Sequence, residues 1–455
     1  MRNFFVRDKA FYRSFLALSG TLMLEQAVVL CVNLADNVMI GSYSEISLSG
    51  VAAVNQIQFF VQQIAFAVSN ALIVLAGQYW GQKRTEPIRR LTAIGVRLEL
   101  IFSLVMFALT SIAPWQCVAL FVKDEAMIAE GVRYLDILRF SYPFFAVTTV
   151  LLGAMRSVEN VQLALRVSVV SLVVNCSINY LLIGGNLGAP ELGVRGAAIA
   201  TTASRFIELA VIVLYTHRKS DSFQFIRGAY RSMHIPARLV RDIAVTGSPL
   251  MVNEVLWSLA MTVVTGCYAA RGMNAVAAAN ITTTVWNLFC IIMFAMGAAI
   301  SIIVGRELGC GNRERAIDLD RKLLFADFVI HVVMGALLIA FSGLIPELYN
   351  TEPEVRATAA RMLMFGGLAL PFESLVHASY FTIRSGGKTW TTFAFDCGFS
   401  WVVTVPVAFA LCTFTALPVE YIYLAVRTAD ILKLCIAFYL LKKGSWANTI
   451  ISSAE

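Results

Sequence analysis

Long apolar runs, each ended by a short polar stretch, follow one another along almost the whole chain. Most are near the roughly 20 residues that a helix needs to cross a hydrocarbon core. They predict twelve spans, at about 14–40, 50–76, 92–114, 135–155, 162–184, 196–216, 243–269, 276–304, 322–345, 359–382, 392–413 and 418–441. Lipid offers the backbone no hydrogen-bond partners, so spans of this kind are helices. The predicted fold class is an all-α integral membrane protein. The first run, about Ser14 to Gly41, is too long for the core of a cleavable signal and counts as a span.

The polar stretches carry an orientation. When span ends are counted with their loops, 25 Lys and Arg fall on one side. Six fall on the other (Lys123, Arg133, Arg195, Arg271, Arg356 and Arg361), and five lie within spans. Basic loops stay in the cytoplasm. Both termini are therefore expected there, in a multi-pass protein of the cell membrane. The longest polar connection, His217 to Arg241, is basic and central, and reads as a cytoplasmic linker.

On either side of that linker the pattern repeats. A shift of 228 residues superposes Leu22-Met23 on Leu250-Met251, Gly77 and Gly81 on Gly305 and Gly309, and Pro143 on Pro371. It also places Arg156-Ser157 on Arg384-Ser385 and Glu99 on Asp327. The expected organisation is an N-lobe at 1–216, the linker at 217–241 and a C-lobe at 242–455, with six helices in each lobe. An even number of spans per half makes the repeats parallel, an arrangement that places a substrate site between the halves near the midplane.

Composition narrows the class. Hydrophobic residues make up 58% and charged residues 14%, against about 25% charged in globular chains. The net charge of +7 sits in short loops, which points to anionic headgroups and not to nucleic acid. Nine scattered cysteines without a CxxC argue against a disulfide framework or a zinc site. No GxxxxGKS/T sequence marks an ATP site, and no HExxH marks an intramembrane protease, so an enzyme is not expected.

Against this apolar background the polar residues stand out. Glu254 lies in the middle of SPLMVNEVLW (248–257), and Glu373 holds a similar place in its own run. A carboxylate at such a depth costs at least ~2.5–3.5 kcal/mol on insertion scales, and such residues mostly bind or move something. The repeat sets Glu25-Gln26 against Asn253-Glu254. Asp36 follows Glu25 by eleven residues, three helical turns on one face. A carboxyl that merely bonds a neighbouring helix is the structural alternative for each. Asn175 and Asn179, spaced i,i+4, form a polar stripe, as do Gln58 and Gln62. Arg205–Glu208 and Arg427–Asp430 read as self-neutralising pairs, and Asp327–His331 and Glu373–His377 as hydrogen-bonded ones. Trp257 and Trp286, with Asn287 and Phe372, could line a cavity for flat cations, because aromatic faces attract them.

At these residues the chain resembles the multidrug and toxic compound extrusion (MATE) family of antiporters, over essentially its whole length. LADNVMIG (34–41) is similar to the first-helix motif, SGVAAVNQI (49–57) and GQYWGQK (77–83) to the second helix and its exit, and PFESLVHASYFTIRSGGKT (371–389) to the tenth helix and its loop. The resemblance matches Glu254 to the seventh-helix Glu, and Glu373 to a tenth-helix acid that is usually Asp. It matches Asp36, Asn175, Asn179 and Thr201 to a first-lobe acid–amide cluster. One branch of the family usually has Asp where this chain has Asn179, so Asp36 is the only acid there.

The implied function is secondary-active export of small organic, cationic compounds in exchange for Na⁺ or H⁺, with no other cofactor and no metal. Glu254 and Glu373 are expected to act as a coupled pair. Asp36, Asn175 and Asn179 complete the coupling residues, and Glu25, Trp257, Trp286, Asn287 and Phe372 the substrate cavity. A monomer in contact with lipid is expected. The alternative is a lipid-linked oligosaccharide flippase of the same superfamily, which would need a cationic cavity.

Overall fold

A computed structural model describes residues 9–219, 223–226 and 237–451, and it is almost wholly helical. The helices are α1 (Lys9–Tyr43), α2 (Glu45–Gly81), α3 (Thr85–Ile112), a short α4 (Pro114–Ala119), α5 (Glu125–Leu138), α6 (Ser141–Ser157), α7 (Gln162–Leu182) and α8 (Val194–Arg218). After the linker come α9 (Ala237–Ala269), α10 (Met273–Gly309), α11 (Arg313–Phe341) and α12 (Pro353–Ser385). Two more complete the set, α13 (Thr389–Phe414) and α14 (Val419–Lys443). Residues 220–222 and 227–236 of the expected linker lie outside the described residues.

Among the described residues, ten helices are singly long and apolar enough to cross a membrane. The fourth expected span is the pair α5 and α6, bent by 56° at the break between them, which makes an eleventh. The twelfth, α14, has the length, but Arg427, Asp430 and Lys433 in its middle lower its hydropathy. Its faces explain how it is tolerated. Leu432, Ile436, Phe438 and Tyr439 are exposed, whereas Val426, Ala429, Lys433 and Ala437 are buried. Apolar side chains outward and charge inward is the pattern that lipid imposes.

The chain forms two compact units, Leu24–Gly247 and Met1–Met23 with Ser248–Glu455. One boundary, between Gly247 and Ser248, lies a few residues past the expected linker, and the other falls inside α1, whose residues up to Met23 group with the second unit. In the first unit Leu72, Leu91, Ile94, Val150, Leu151 and Met155 form one core cluster, and Val51, Val54, Tyr134, Leu135 and Tyr142 belong to another. In the second unit Tyr268, Ala278, Met362, Ile422 and Tyr423 pack together. Small residues let backbones touch there: a Cβ on Gly335 of α11 would sit 2.4 Å from the Gly367 carbonyl of α12. Pro371, four residues on, leaves that carbonyl without its helical donor. Pro249 does the same in α9 to the carbonyl of Val245. Both helices that carry a central glutamate are therefore interrupted within a turn or two of it.

Candidate functional site

In the first unit, α1 and α7 bring Asp36 to the two asparagines. Asn179 donates from Nδ2 to Asp36 Oδ1 at 2.5 Å and to Asn175 Oδ1 at 3.0 Å. The i,i+4 spacing stacks the two amides on one face of α7, and both are buried. Asn179 Oδ1 is buried without a partner. Thr201 of α8 and Tyr134 of α5 lie beside the cluster, the Thr201 hydroxyl buried with no hydrogen-bond partner among the described residues, and the Arg205 charge lies within electrostatic reach of Asp36. Arg205 itself is held by Glu208 at 2.9 Å on its own helix, as its spacing predicts. Among the described residues Asp36 therefore has amide donors but no cationic hydrogen-bond partner.

Glu25 is elsewhere. Its buried carboxylate is taken by the Arg156 guanidinium of α6, so the residue expected in the substrate cavity is half of a buried ion pair. The repeat had set Arg156 against Arg384 and Glu25 against Asn253. The first unit closes this arginine and carboxylate on each other.

The second unit holds more charge. Glu254 of α9 is half-buried and accepts no hydrogen bond among the described residues, and its charged neighbours are Arg384 and Asp396. Glu373 of α12 has different ones, Arg427, Asp430 and Lys433. Arg427 donates to Glu373 Oε2 at 2.8 Å. Glu254 and Glu373, expected to act as a coupled pair, thus have different nearest charged partners. Arg427 also corrects two further expectations. It does not pair with Asp430 on its own helix, and its guanidinium lies 4.1 Å from the centroid of the Trp286 ring and 4.8 Å from that of Tyr423. The aromatic face expected to meet a substrate cation already meets a resident one. His377, expected to bond Glu373, packs its ring against Phe294, Tyr380 and Phe381 instead.

Between the two glutamates lies a group that sequence reasoning missed. Lys433 of α14 donates to Asp396 Oδ1 at 3.2 Å and to Ser400 Oγ at 3.0 Å, both on α13, and lies 3.5 Å from Asp430 Oδ1. Asn253 donates to the other Asp396 oxygen at 3.1 Å, and Thr404 donates to Asp430 at 2.8 Å. The signal was there, in a lysine and two aspartates inside apolar spans, but no spacing within one helix links them. Asp327 and His331, expected to hydrogen-bond, are fully buried and 3.3 Å apart, but His331 Nδ1 bonds the Asp327 main-chain carbonyl at 2.9 Å and the Asp327 carboxyl oxygens have no hydrogen-bond partner among the described residues. Trp257 is half-buried, Asn287 exposed, and Phe372 exposed with its ring edge-on to Phe328. Among the described residues no group of His, Cys, Asp and Glu is arranged to hold a metal.

Comparison with known proteins agrees with this architecture. The MatE family model matches residues 22–181 and again residues 249–410, so the two halves fit one pattern. The chain is 23% identical to the probable multidrug resistance protein NorM of Thermotoga maritima, over 95% of this chain and 92% of that protein. It is 25% identical to the probable multidrug resistance protein YoeA of Bacillus subtilis, over 86% of each. The fold superposes on the Vibrio cholerae MATE transporter VcmN in its bent form with a TM-score of 0.87, at 17% identity, covering 95% of this chain and 96% of that one. An outward-facing multidrug resistance MATE transporter gives the same score at 17% identity, covering 94% and 95%.

Proposed function

The chain belongs to the MatE family of multi-pass membrane transporters, and from that premise we propose that it is a secondary-active antiporter exporting small organic cations. An inward flow of Na⁺ or H⁺ drives the export by alternating access. The names of the relatives support multidrug substrates. One observation carries the assignment of roles: each unit keeps a carboxylate without a cationic hydrogen-bond partner, Asp36 in the first and Glu254 in the second. Three further carboxylates of the second unit are held by resident cations, Glu373 by Arg427 and Asp396 and Asp430 by Lys433.

In this reading the coupling ion is taken by Asp36 among Asn175, Asn179 and Thr201. The Asn179 oxygen without a partner is a ready further ligand for it. Glu254, one turn from Trp257, receives the organic cation. Occupancy then biases the exchange between inward- and outward-open states by differential affinity for the two. Both termini face the cytoplasm, by the Lys and Arg asymmetry, and the transporter works as a monomer surrounded by lipid. The flippase alternative is not favoured, since Arg427 and Lys433 are each bonded to a carboxylate and so do not form a free cationic cavity.

Efflux of a fluorescent organic cation from proteoliposomes, with sodium and proton gradients imposed one at a time, tests the reading. One gradient is expected to accelerate efflux. Acceleration by neither would overturn antiport.

A further inference from the structure

We propose that Lys433 is a built-in cation: its ammonium fills an oxygen-lined site in the second unit that would otherwise bind a monovalent metal ion. Its hydrogen-bonding and ion-pairing partners are hard oxygens, with the Phe399 ring centroid 5.6 Å away. Asp396 Oδ1, Ser400 Oγ and Asp430 Oδ1 lie 3.2, 3.0 and 3.5 Å from Nζ. Hard oxygen donors of this kind suit hard cations. A lysine ammonium is a compact point charge on a flexible stem, so it substitutes for a spherical ion better than a planar guanidinium does. Only 4% of Lys433 is exposed, so the charge has left water and depends on these oxygens.

The backbone of α13 is shaped for this site. Asp396, Ser400 and Thr404 are spaced four residues apart. On a regular α-helix that spacing drifts about 40° per step, which would carry the third residue away from the first. Here Ala394–Gly398 and Ser400–Thr404 are π-helical, and the wider turns counter the drift. All three side chains then reach one network with α14 and α9. Turns of this type are rare and concentrate at functional sites.

The first unit solves the same problem differently. Aligning Val194 with Val419 sets Arg205–Glu208 against Asp430–Lys433, the same i,i+3 spacing with the charges exchanged. Arg205 closes on its own helix through Glu208, and no ammonium enters the group around Asp36. The second unit carries its cation permanently. An exchangeable one is left to Asp36 or Glu254, a consequence that rests on the antiport reading although the site itself does not.

Sodium binding to purified protein, with choline as the replacement salt, tests the inference without any transport step. Lys433→Met is expected to bind about one more Na⁺ per chain than the wild type, with a Tm that rises with sodium far more steeply. Lys433→Arg is expected to gain nothing, and Asp396→Asn added to Lys433→Met to abolish the gain. Should Lys433→Met fail to fold even in sodium, Lys433→Met with Asp430→Asn keeps the net charge and leaves the Asp396 carboxylate, the Ser400 hydroxyl and an amide oxygen, and the same gain is expected. Folded variants that bind no more Na⁺ than wild type, or a gain that survives Asp396→Asn, would overturn the inference. Failure of gradient-driven efflux in the wild type would instead strike the antiport reading and leave the binding result standing.

Discussion

Arg427 and Glu373 meet at 2.8 Å from two different helices, and neither is paired with the partner that its own helix offers at i,i+3 or i,i+4. Side chains that are 18% and 12% exposed make this a largely buried ion pair. Removing one partner of such a pair typically costs about 3–5 kcal/mol, because the other charge is left uncompensated. Glu373→Gln is expected to lower the Tm strongly, and Glu373→Gln with Arg427→Gln to lower it less than the sum of the single changes. Combined with Glu254→Gln, in contrast, Glu373→Gln should be nearly additive. Thermal unfolding in detergent gives both cycles, and strong coupling of the two glutamates would restore them to one site.

Glu25 is expected to matter for stability and not for substrate choice. Its carboxylate is buried against Arg156. Glu25→Gln should lose about 3 kcal/mol or somewhat less, the amide keeping one hydrogen bond. Per folded molecule, its efflux of several different cations should match the wild type. A changed substrate profile at unchanged Tm would return Glu25 to the cavity.

Asp36 and Glu254 are expected to fail in different ways. Asp36→Asn should abolish acceleration by the ion gradient while binding of a fluorescent cation persists. Glu254→Gln should weaken that binding by about tenfold, the loss of one charged contact worth about 1.4 kcal/mol. Binding titrations beside gradient-driven efflux separate the two. The reverse pattern would move the coupling ion to the second unit.

Orientation is open to a direct test at Ser220, in the part of the linker outside the described residues. An impermeant thiol reagent should label Ser220→Cys only after the cells are opened, in a background without the exposed native Cys31, Cys310 and Cys435. Labelling of intact cells would reverse the topology drawn from the Lys and Arg asymmetry.

The sequence by itself determined the spans, the repeat and the family. Each of these follows from apolar periodicity or from motifs that are contiguous along the chain. It also identified contacts confined to one helix, such as Arg205–Glu208 and Asp327–His331, because 3.6 residues per turn fixes which side chains are neighbours. Asp36 with Asn175 and Asn179 was legible through the resemblance, on two helices. What only the tertiary structure decided is which cation meets which acid in the second unit. Arg427 has Asp430 within reach on α14 and Glu373 on α12, and helix packing selects Glu373 while Trp286 receives the guanidinium face. Asp396 enters the network because α13 is widened by π-turns, a change of helical period that no α-helical pattern contains. In a low-dielectric interior the strength of a charge pair depends steeply on separation. The roles of these acids therefore depend on ångström distances between helices, and sequence spacing fixes distances only within one.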